Sequence, residues 1–158
     1  MGRQRRNRIS GQFAAQLVEM LESPAYRVLS LSAHRVLDRI QIEFAHHGGT
    51  ENGRLPVTYD QFCEYGLHRH AIGPAIRELV ALGFIEMTER GRHGNGEFRT
   101  PNKFRLTFRP TSKAAETNEW RKFETMEAAE FLAQAARKTP AEPSQRSARS
   151  KTPLRAVT

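Results

Sequence analysis

Residues 58–66, TYDQFCEYG, constrain the fold more than any other part of the chain. Thr58 and Gln61 have the spacing of a capping box, in which each side chain bonds the backbone N–H of the other residue. Val57 and Phe62 occupy the two positions of a hydrophobic staple around the same cap. This stretch therefore predicts a helix of only about two turns, directly after the cap and closed by the glycine.

A second helix is predicted shortly after the first. Apolar residues recur at helical spacing, and Gly83 in the sequence LGF is the C′ glycine that ends the helix. The apolar row consists of Ile72, Ile76, Leu79 and Val80. The chain therefore predicts a short helix, a tight turn and a longer helix.

Two further helices are predicted before this pair. The stronger one starts behind Ser30 or Ser32 as N-cap and ends at the glycines of HHGGTENG. Its apolar stripe is Ala33, Val36, Leu37, Ile40 and Phe44. A shorter helix is predicted after Ser10 and before Pro24, from the helical spacing of Phe13, Leu17, Met20 and Leu21.

A hairpin follows the helices. Apolar and polar residues alternate around Ile85 and Met87, and again through Phe104, Leu106 and Phe108, which predicts two strands. Between them lies GRHGNGEFRTPN, whose three glycines and one proline predict a long loop that carries basic residues. The order is thus helix, short helix, tight turn, helix and hairpin.

The positive charge indicates a polyanion as partner. The formal net charge is +8, and its position is informative. Residues 1–10 carry four arginines and no acid, and residues 137–158 carry six basic groups against one glutamate. Residues 66–109 carry eight basic groups against four glutamates, within a middle segment that is otherwise acidic. Charge therefore concentrates on both ends, the second predicted helix and the hairpin.

Over about residues 31–109 the chain resembles winged helix-turn-helix proteins of bacteria. YDQFCEYGLHRHAIGPAIRELVALGFIEMTERG is similar to the helix-turn-helix and first wing strand of that family, and KFRLTF to its second wing strand. LVALGFIE strongly resembles the helix-to-strand junction of many regulators, and parts of the chain are also similar to the winged-helix parts of phage and plasmid replication initiators. The resemblance implies an α+β fold, mainly α with a small β-hairpin, in which a three-helix core and a wing carry extra N- and C-terminal helices.

The resemblance also implies sequence-selective binding of double-stranded DNA. A recognition helix at about 69–82 would enter the major groove, and a wing at about 91–102 would lie on phosphates or in the minor groove. The expected contacts are His68, Arg69, His70 and Arg77 on the helix, and Arg92, His93, Arg99 and Lys103 on the wing. Transcriptional regulation is the expected role. The alternatives are a replication-initiation or mobile-element accessory protein and, in another class, a protein-docking module.

Pro74 departs from an ordinary recognition helix. Proline fits only the first turn without cost, so the helix is expected either to begin near His70 or Ala71 or to be kinked. With Gly73 beside it, few long side chains stand at the usual reading positions. Base contacts are then expected to rest on Arg69, His70 and Arg77.

The His-Arg-His triplet has two other interpretations. A metal site would need further ligands from Cys63, His46 and His47, which show no recognised zinc spacing. The triplet is also similar to the His-x-His pair of relaxases, where two histidines on a strand hold a metal near a tyrosine. Tyr26, Tyr59 and Tyr65 are present, but here the pair opens a helix. We expect no metal, no cofactor and no enzymatic activity.

Four segments are expected along the chain: a basic disordered arm (1–10), the DNA-binding domain with its N-terminal helix (11–109), a helical extension (110–137) and a basic disordered tail (138–158). A cytoplasmic, nucleoid-associated protein without a membrane partner is expected, since no apolar run reaches the ~18 residues of a membrane span. Cys63, the only cysteine, excludes an internal disulfide.

The extension contains a further predicted helix, with Thr125 as N-cap. Met126, Ala129, Leu132 and Ala136 lie along its apolar face. Its partner is either the first helix of the same chain or the same helix of a second subunit, in a homodimer formed through residues 11–22 and 117–137. Trp120 and Phe123 would anchor the helix in the core or form part of that interface.

Overall fold

The computed structural model describes residues 9–92 and 100–140. The helices are α1 (Val18–Glu22), α2 (Pro24–Arg27), α3 (Leu31–His46), α4 (Tyr59–Glu64), α5 (Arg69–Ala81) and α6 (Met126–Lys138), and the strands are β1 (Leu55–Val57), β2 (Ile85–Glu89) and β3 (Asn102–Leu106). A 3₁₀ helix spans Glu119–Lys122. These elements form a mixed α+β structure around one apolar core. Most of both predicted tails falls outside the described residues.

The three strands form an antiparallel sheet in the order β1-β3-β2. The predicted hairpin is confirmed as β2 and β3, which pair Ile85 with Leu106. β1, which pairs Leu55 with Phe104, was not predicted. It is three residues long, too short for an alternating pattern, and contains Pro56, which an edge strand tolerates.

The cap of α4 has the predicted geometry. Gln61 donates its backbone N–H to Thr58 Oγ1 at 3.1 Å, and Thr58 donates its own to Gln61 Oε1 at 2.9 Å. Gly66, at φ +103°, ends the helix, and the N–H of Leu67 reaches back to the carbonyl of Phe62 at 3.1 Å. The bond from Leu67 to Phe62 is typical of a Schellman motif. Both ends of α4 are therefore fixed by residues within the helix or next to it.

α5 begins at Arg69, one residue before the start near His70 that Pro74 suggested, and Pro74 lies inside the helix. Proline removes only its own bond to the carbonyl of His70, while Ile72 and Ile76, on either side of it, are buried in the core. Burial of both residues outweighs the local preference against proline. Val80, predicted for the core, is instead exposed.

The predicted N-terminal helix is correct only in its second half. α1 starts at Val18, and of the four apolar residues that predicted the helix only Met20 is buried. The residues before α1 are held along α3 by polar side chains. Gln12 donates to the carbonyl of Ala45 at 3.2 Å, and Gln16 donates to Gln41 at 3.1 Å.

α6 begins at the predicted N-cap, Thr125, whose side chain accepts from the N–H of Ala128 at 3.2 Å. It packs mainly against α5, and also against α2, of its own chain, whereas the partner predicted within the chain was the first helix. Trp120 is only 1% exposed and donates to Asn118 at 3.1 Å. The tryptophan is therefore a core anchor that precedes α6.

Glu78, on α5, is fully buried and connects three helices. It accepts hydrogen bonds from the N–H and the hydroxyl of Ser30, both at 2.7 Å, and from Arg137 Nε at 3.1 Å. Ser30 also caps α3 by accepting from the N–H of Ala33 at 3.2 Å. One carboxylate thus links the start of α3, the middle of α5 and the end of α6.

We predict that Gly83→Ala destabilises the fold by about 3–4 kcal/mol, because a left-handed backbone and a collision add together. Gly83 has φ +82°, and a Cβ there would lie 2.7 Å from the backbone of Glu119. Gly48→Ala is the matched control, since Gly48 has φ +65° but open space around it. It should cost only about 1–2 kcal/mol in urea unfolding. Equal losses would contradict the close approach at Gly83.

We also predict that Glu78→Gln lowers the free energy of unfolding by about 2–4 kcal/mol, because a neutral amide removes the nearest negative charge from Arg137 and replaces one acceptor oxygen with an NH₂ group that cannot accept a hydrogen bond. Glu130→Gln is the control. Glu130 lies 3.8 Å from the same Arg137 but is 41% exposed. Urea unfolding should show a change within about 0.5 kcal/mol for the control.

Candidate nucleic-acid interface

The first turn of α5 presents three of the predicted contact residues together. His68 is the N-cap, with no side-chain cap bond, and Arg69 and His70 are the first two helical residues. All three are exposed. The two imidazole rings stack with centroids 5.6 Å apart and 12° between their planes. A cation and two imidazoles with N–H donors thus point to solvent where the positive end of the helix dipole lies.

Arg69 is oriented by α4. Its guanidinium pairs with Asp60 and lies 6.0 Å from the ring centroid of Tyr59. Both members of the ion pair are more than half exposed. Such a pair contributes at most about 1 kcal/mol, so it orients the arginine without withdrawing it from an anionic ligand.

The base of the hairpin lies at the same edge as the start of α4. Val57, two residues before Tyr59, pairs with Asn102, whose side chain accepts from the N–H of Gly91 at 2.7 Å. Arg92 follows and is exposed, and its backbone pairs with that of Thr100. Through these contacts the sheet connects the base of the hairpin to β1, which leads into α4.

Of the other predicted contact residues, Arg77 is bonded to another helix and Lys103 lies in an ion pair. Arg77 does not point outward as expected: it donates from Nε to the carbonyl of Ala136 at 3.1 Å and from Nη2 to the carbonyl of Arg137 at 3.2 Å. These are the last carbonyls of α6, which lack partners within their own helix. Lys103 Nζ lies 2.9 Å from Glu89 across the hairpin. The predicted contacts His93 and Arg99 lie outside the described residues.

Sequence reasoning missed Arg35. It lies on the exposed face of α3 and donates to the carbonyl of Gly66 at 3.0 Å. With Leu31 and His68 it lines a shallow pocket between α3 and the turn before α5. Nothing local marks Arg35, because only the packing of α3 against the turn brings it to His68.

Two groups considered for the alternative chemistries are the metal-ligating side chains and Tyr26. Over residues 9–92 and 100–140, no group of three or more histidine, cysteine or acidic side chains is arranged to hold a metal ion. Tyr26 packs edge-on against His34 and Phe84. Burial, and then the charge of Asp38, raises the pKa of Tyr26, which disfavours the phenolate that a nucleophile needs. Burial also raises the pKa of Asp38, against the opposing effect of His34.

Comparison with known proteins adds no relative. No family model, curated protein or solved structure matches the chain. Within the described part of the chain, no helix is long and apolar enough to cross a membrane.

We predict that Arg77 and Arg69 differ in their effect on stability. Arg77→Ala should lower the free energy of unfolding by about 1–2 kcal/mol, because two carbonyls at the end of α6 lose a charged donor. Arg69→Ala removes an exposed ion pair and should change it by less than about 0.5 kcal/mol. Thermal and urea unfolding of both variants measure this. A neutral Arg77→Ala would mean that its contacts to α6 do not contribute.

Proposed function

We propose that this chain binds double-stranded DNA in a sequence-selective manner, as a winged helix-turn-helix protein. α4, the turn and α5 form the helix-turn-helix, α5 enters the major groove, and the β2–β3 hairpin is the wing. The observation that carries the proposal is the exposed His68-Arg69-His70 turn at the start of α5. An α-helix of about 10–12 Å diameter fits the major groove.

The architecture supports this assignment. α5 packs on α3 and α4, and the sheet places β3 between β1 and β2, so the hairpin extends from the sheet beside the helices. The two ends of the short helix α4 are rigidly capped. A binding surface on such elements is held in place before the ligand arrives, which lowers the ordering cost of binding.

The geometry supports a recognition surface at the first turn of α5. Beyond it, the outward side carries Gly73 and Pro74, which offer no long polar side chain, and Arg77 is bonded to α6. We propose that Arg69 and His70 read base edges and that His68 and Arg92 contact phosphates. Arg35, beside His68, adds a further phosphate contact that the sequence did not suggest.

Transcriptional regulation is the role we propose. An accessory role in replication initiation or on a mobile element would use the same surface. A protein-docking module is the alternative of another class. An experiment can distinguish the two classes, because a docking module would need neither duplex DNA nor a cation at the start of α5.

The test is selection of random duplex DNA by the full chain at about 150 mM salt, followed by affinity measurements on the enriched and a scrambled duplex. Arg69→Gln should reduce the difference in binding free energy between the enriched and the scrambled duplex by about 1–3 kcal/mol, as expected for a lost base contact. Arg92→Gln should weaken binding to both duplexes and reduce the slope of log affinity against log salt by about 0.9.

Arg54→Gln is the matched control. Arg54 forms an exposed ion pair with Glu51, as Arg69 does with Asp60, but lies at the opposite end of β1 from α4. It should behave as the unchanged chain does. Recovery of no enriched motif, or equal effects of Arg54→Gln and Arg69→Gln, would reject the proposal and favour the docking module.

A further inference from the structure

Gly73, on the outward side of α5, lies beside the polar ends of two other side chains. A Cβ atom placed on Gly73 would be 3.4 Å from Nη1 of Arg77 and 3.5 Å from the hydroxyl oxygen of Tyr59. Arg77 lies one turn further along α5, and Tyr59 is the first residue of α4. The three residues thus border a small space that has no side chain of its own, which we call the Gly73 gap.

Arg77 is held so that one of its nitrogens stays at this gap. Its Nε and Nη2 donate to the carbonyls of Ala136 and Arg137 at 3.1 and 3.2 Å, while Nη1 lies beside Gly73. Both bonds go to neutral carbonyls, so they offset only part of the guanidinium charge, through the negative end of the α6 dipole. A guanidinium that is already fixed by two bonds loses little further side-chain entropy when it binds a ligand. Arg77 therefore offers a fixed, positively charged donor at the gap.

Tyr59 supplies a second hydrogen-bond donor. It directly follows the N-cap of α4, whose capping box fixes the backbone there. The guanidinium of Arg69 lies 6.0 Å from the centroid of the tyrosine ring and adds positive charge nearby, part of which its exposed ion pair with Asp60 offsets. Tyr59, Gly73 and Arg77 are each partly exposed, so a ligand can reach the gap from solvent.

The chemistry of the gap fits an oxyanion. The guanidinium of Arg77 can only donate hydrogen bonds, and the hydroxyl of Tyr59 can donate one. A phosphate group has several acceptor oxygens and a negative charge, and arginine and tyrosine are among the side chains that contact DNA phosphates. Because Gly73 has no side chain, a ligand can also approach the backbone of α5 closely there.

We propose that the Gly73 gap holds one backbone phosphate of duplex DNA, through the hydroxyl of Tyr59 and Nη1 of Arg77. This inference rests on the proposed function. It adds a phosphate contact further along α5 than the first turn, which carries the proposed base contacts. It also gives a role to Gly73, a residue that weakens the interior of a helix relative to alanine.

The experiment measures the affinity of full-chain variants for the enriched and the scrambled duplex at about 150 mM salt, by fluorescence anisotropy. Gly73→Ala places a methyl group against both donors and should weaken binding to both duplexes by about tenfold, as expected for the loss of a hydrogen bond to a charged group. It should also reduce the slope of log affinity against log salt by about 0.9, because one phosphate leaves Arg77. The methyl group fits at ordinary contact distances, so the thermal unfolding temperature should rise slightly, since alanine is the better helix former. Weaker binding by a more stable chain excludes unfolding as the cause.

Tyr59→Phe removes only the hydroxyl. It should weaken binding to both duplexes by about fivefold and leave the salt slope unchanged, because the hydroxyl carries no charge. Tyr26→Phe is the matched control, since it removes a hydroxyl from α2, where the ring packs against His34 and Phe84. The control should bind both duplexes as the parent chain does. Similar losses on the two duplexes for Gly73→Ala and Tyr59→Phe, with an unaffected control, support the site.

Three outcomes overturn the proposal. If Gly73→Ala and Tyr59→Phe bind both duplexes as the parent chain does, the gap holds no part of the DNA. If their losses are confined to the enriched duplex, the two donors contact a base and not a phosphate. In both of these cases the proposed function stands. Failure of the parent chain to bind any duplex would instead reject the proposed function and this site together.

Discussion

The buried carboxylate of Glu78 is the interaction on which the arrangement of the helices depends. A charge without exposure to water needs close hydrogen-bond partners, and Glu78 finds them in Ser30 at the start of α3 and Arg137 at the end of α6. The neighbouring Arg77 binds the last carbonyls of α6. Arg77 and Glu78, which are adjacent in α5, thus both bond to α6, and Glu78 also bonds to the start of α3. These bonds fix the position of α5 relative to both helices.

This arrangement determines which part of α5 remains available. Because the side chains of Arg77 and Glu78 bond to other helices, the polar side chains of α5 that remain exposed to solvent lie mainly at its start, at His68, Arg69 and His70. That turn adjoins α4 and, through the sheet, the base of the hairpin at Arg92. The exposed first turn of α5 is the basis of the proposed DNA binding.

Local signals predicted local structure well. The capping box at Thr58, the glycines at 66 and 83, and the stripe of α3 each rest on residues within one turn of one another, and each is found as expected. The features that local signals did not predict depend instead on contacts between residues far apart in the sequence. Strand β1 exists only because β3 lies beside it, and Pro74 stays inside α5 because the core holds the helix on both sides. The apolar residues of 12–21 fit a helical pattern, yet the first half of this segment is not helical, and its glutamines Gln12 and Gln16 bond to α3.

The sequence by itself therefore determined where most helices and strands begin and end, and which residues form the start of α5. Caps, turns and periodic apolar faces act over a few residues, so they can be read without a fold. Only the tertiary structure decided how the charged side chains are used. Arg69, Arg77 and Arg35 are all arginines on helices, but one faces solvent beside Asp60, one caps α6 and one lies against the turn before α5. A side chain's role depends on groups far away in sequence, and packing alone brings those groups into contact.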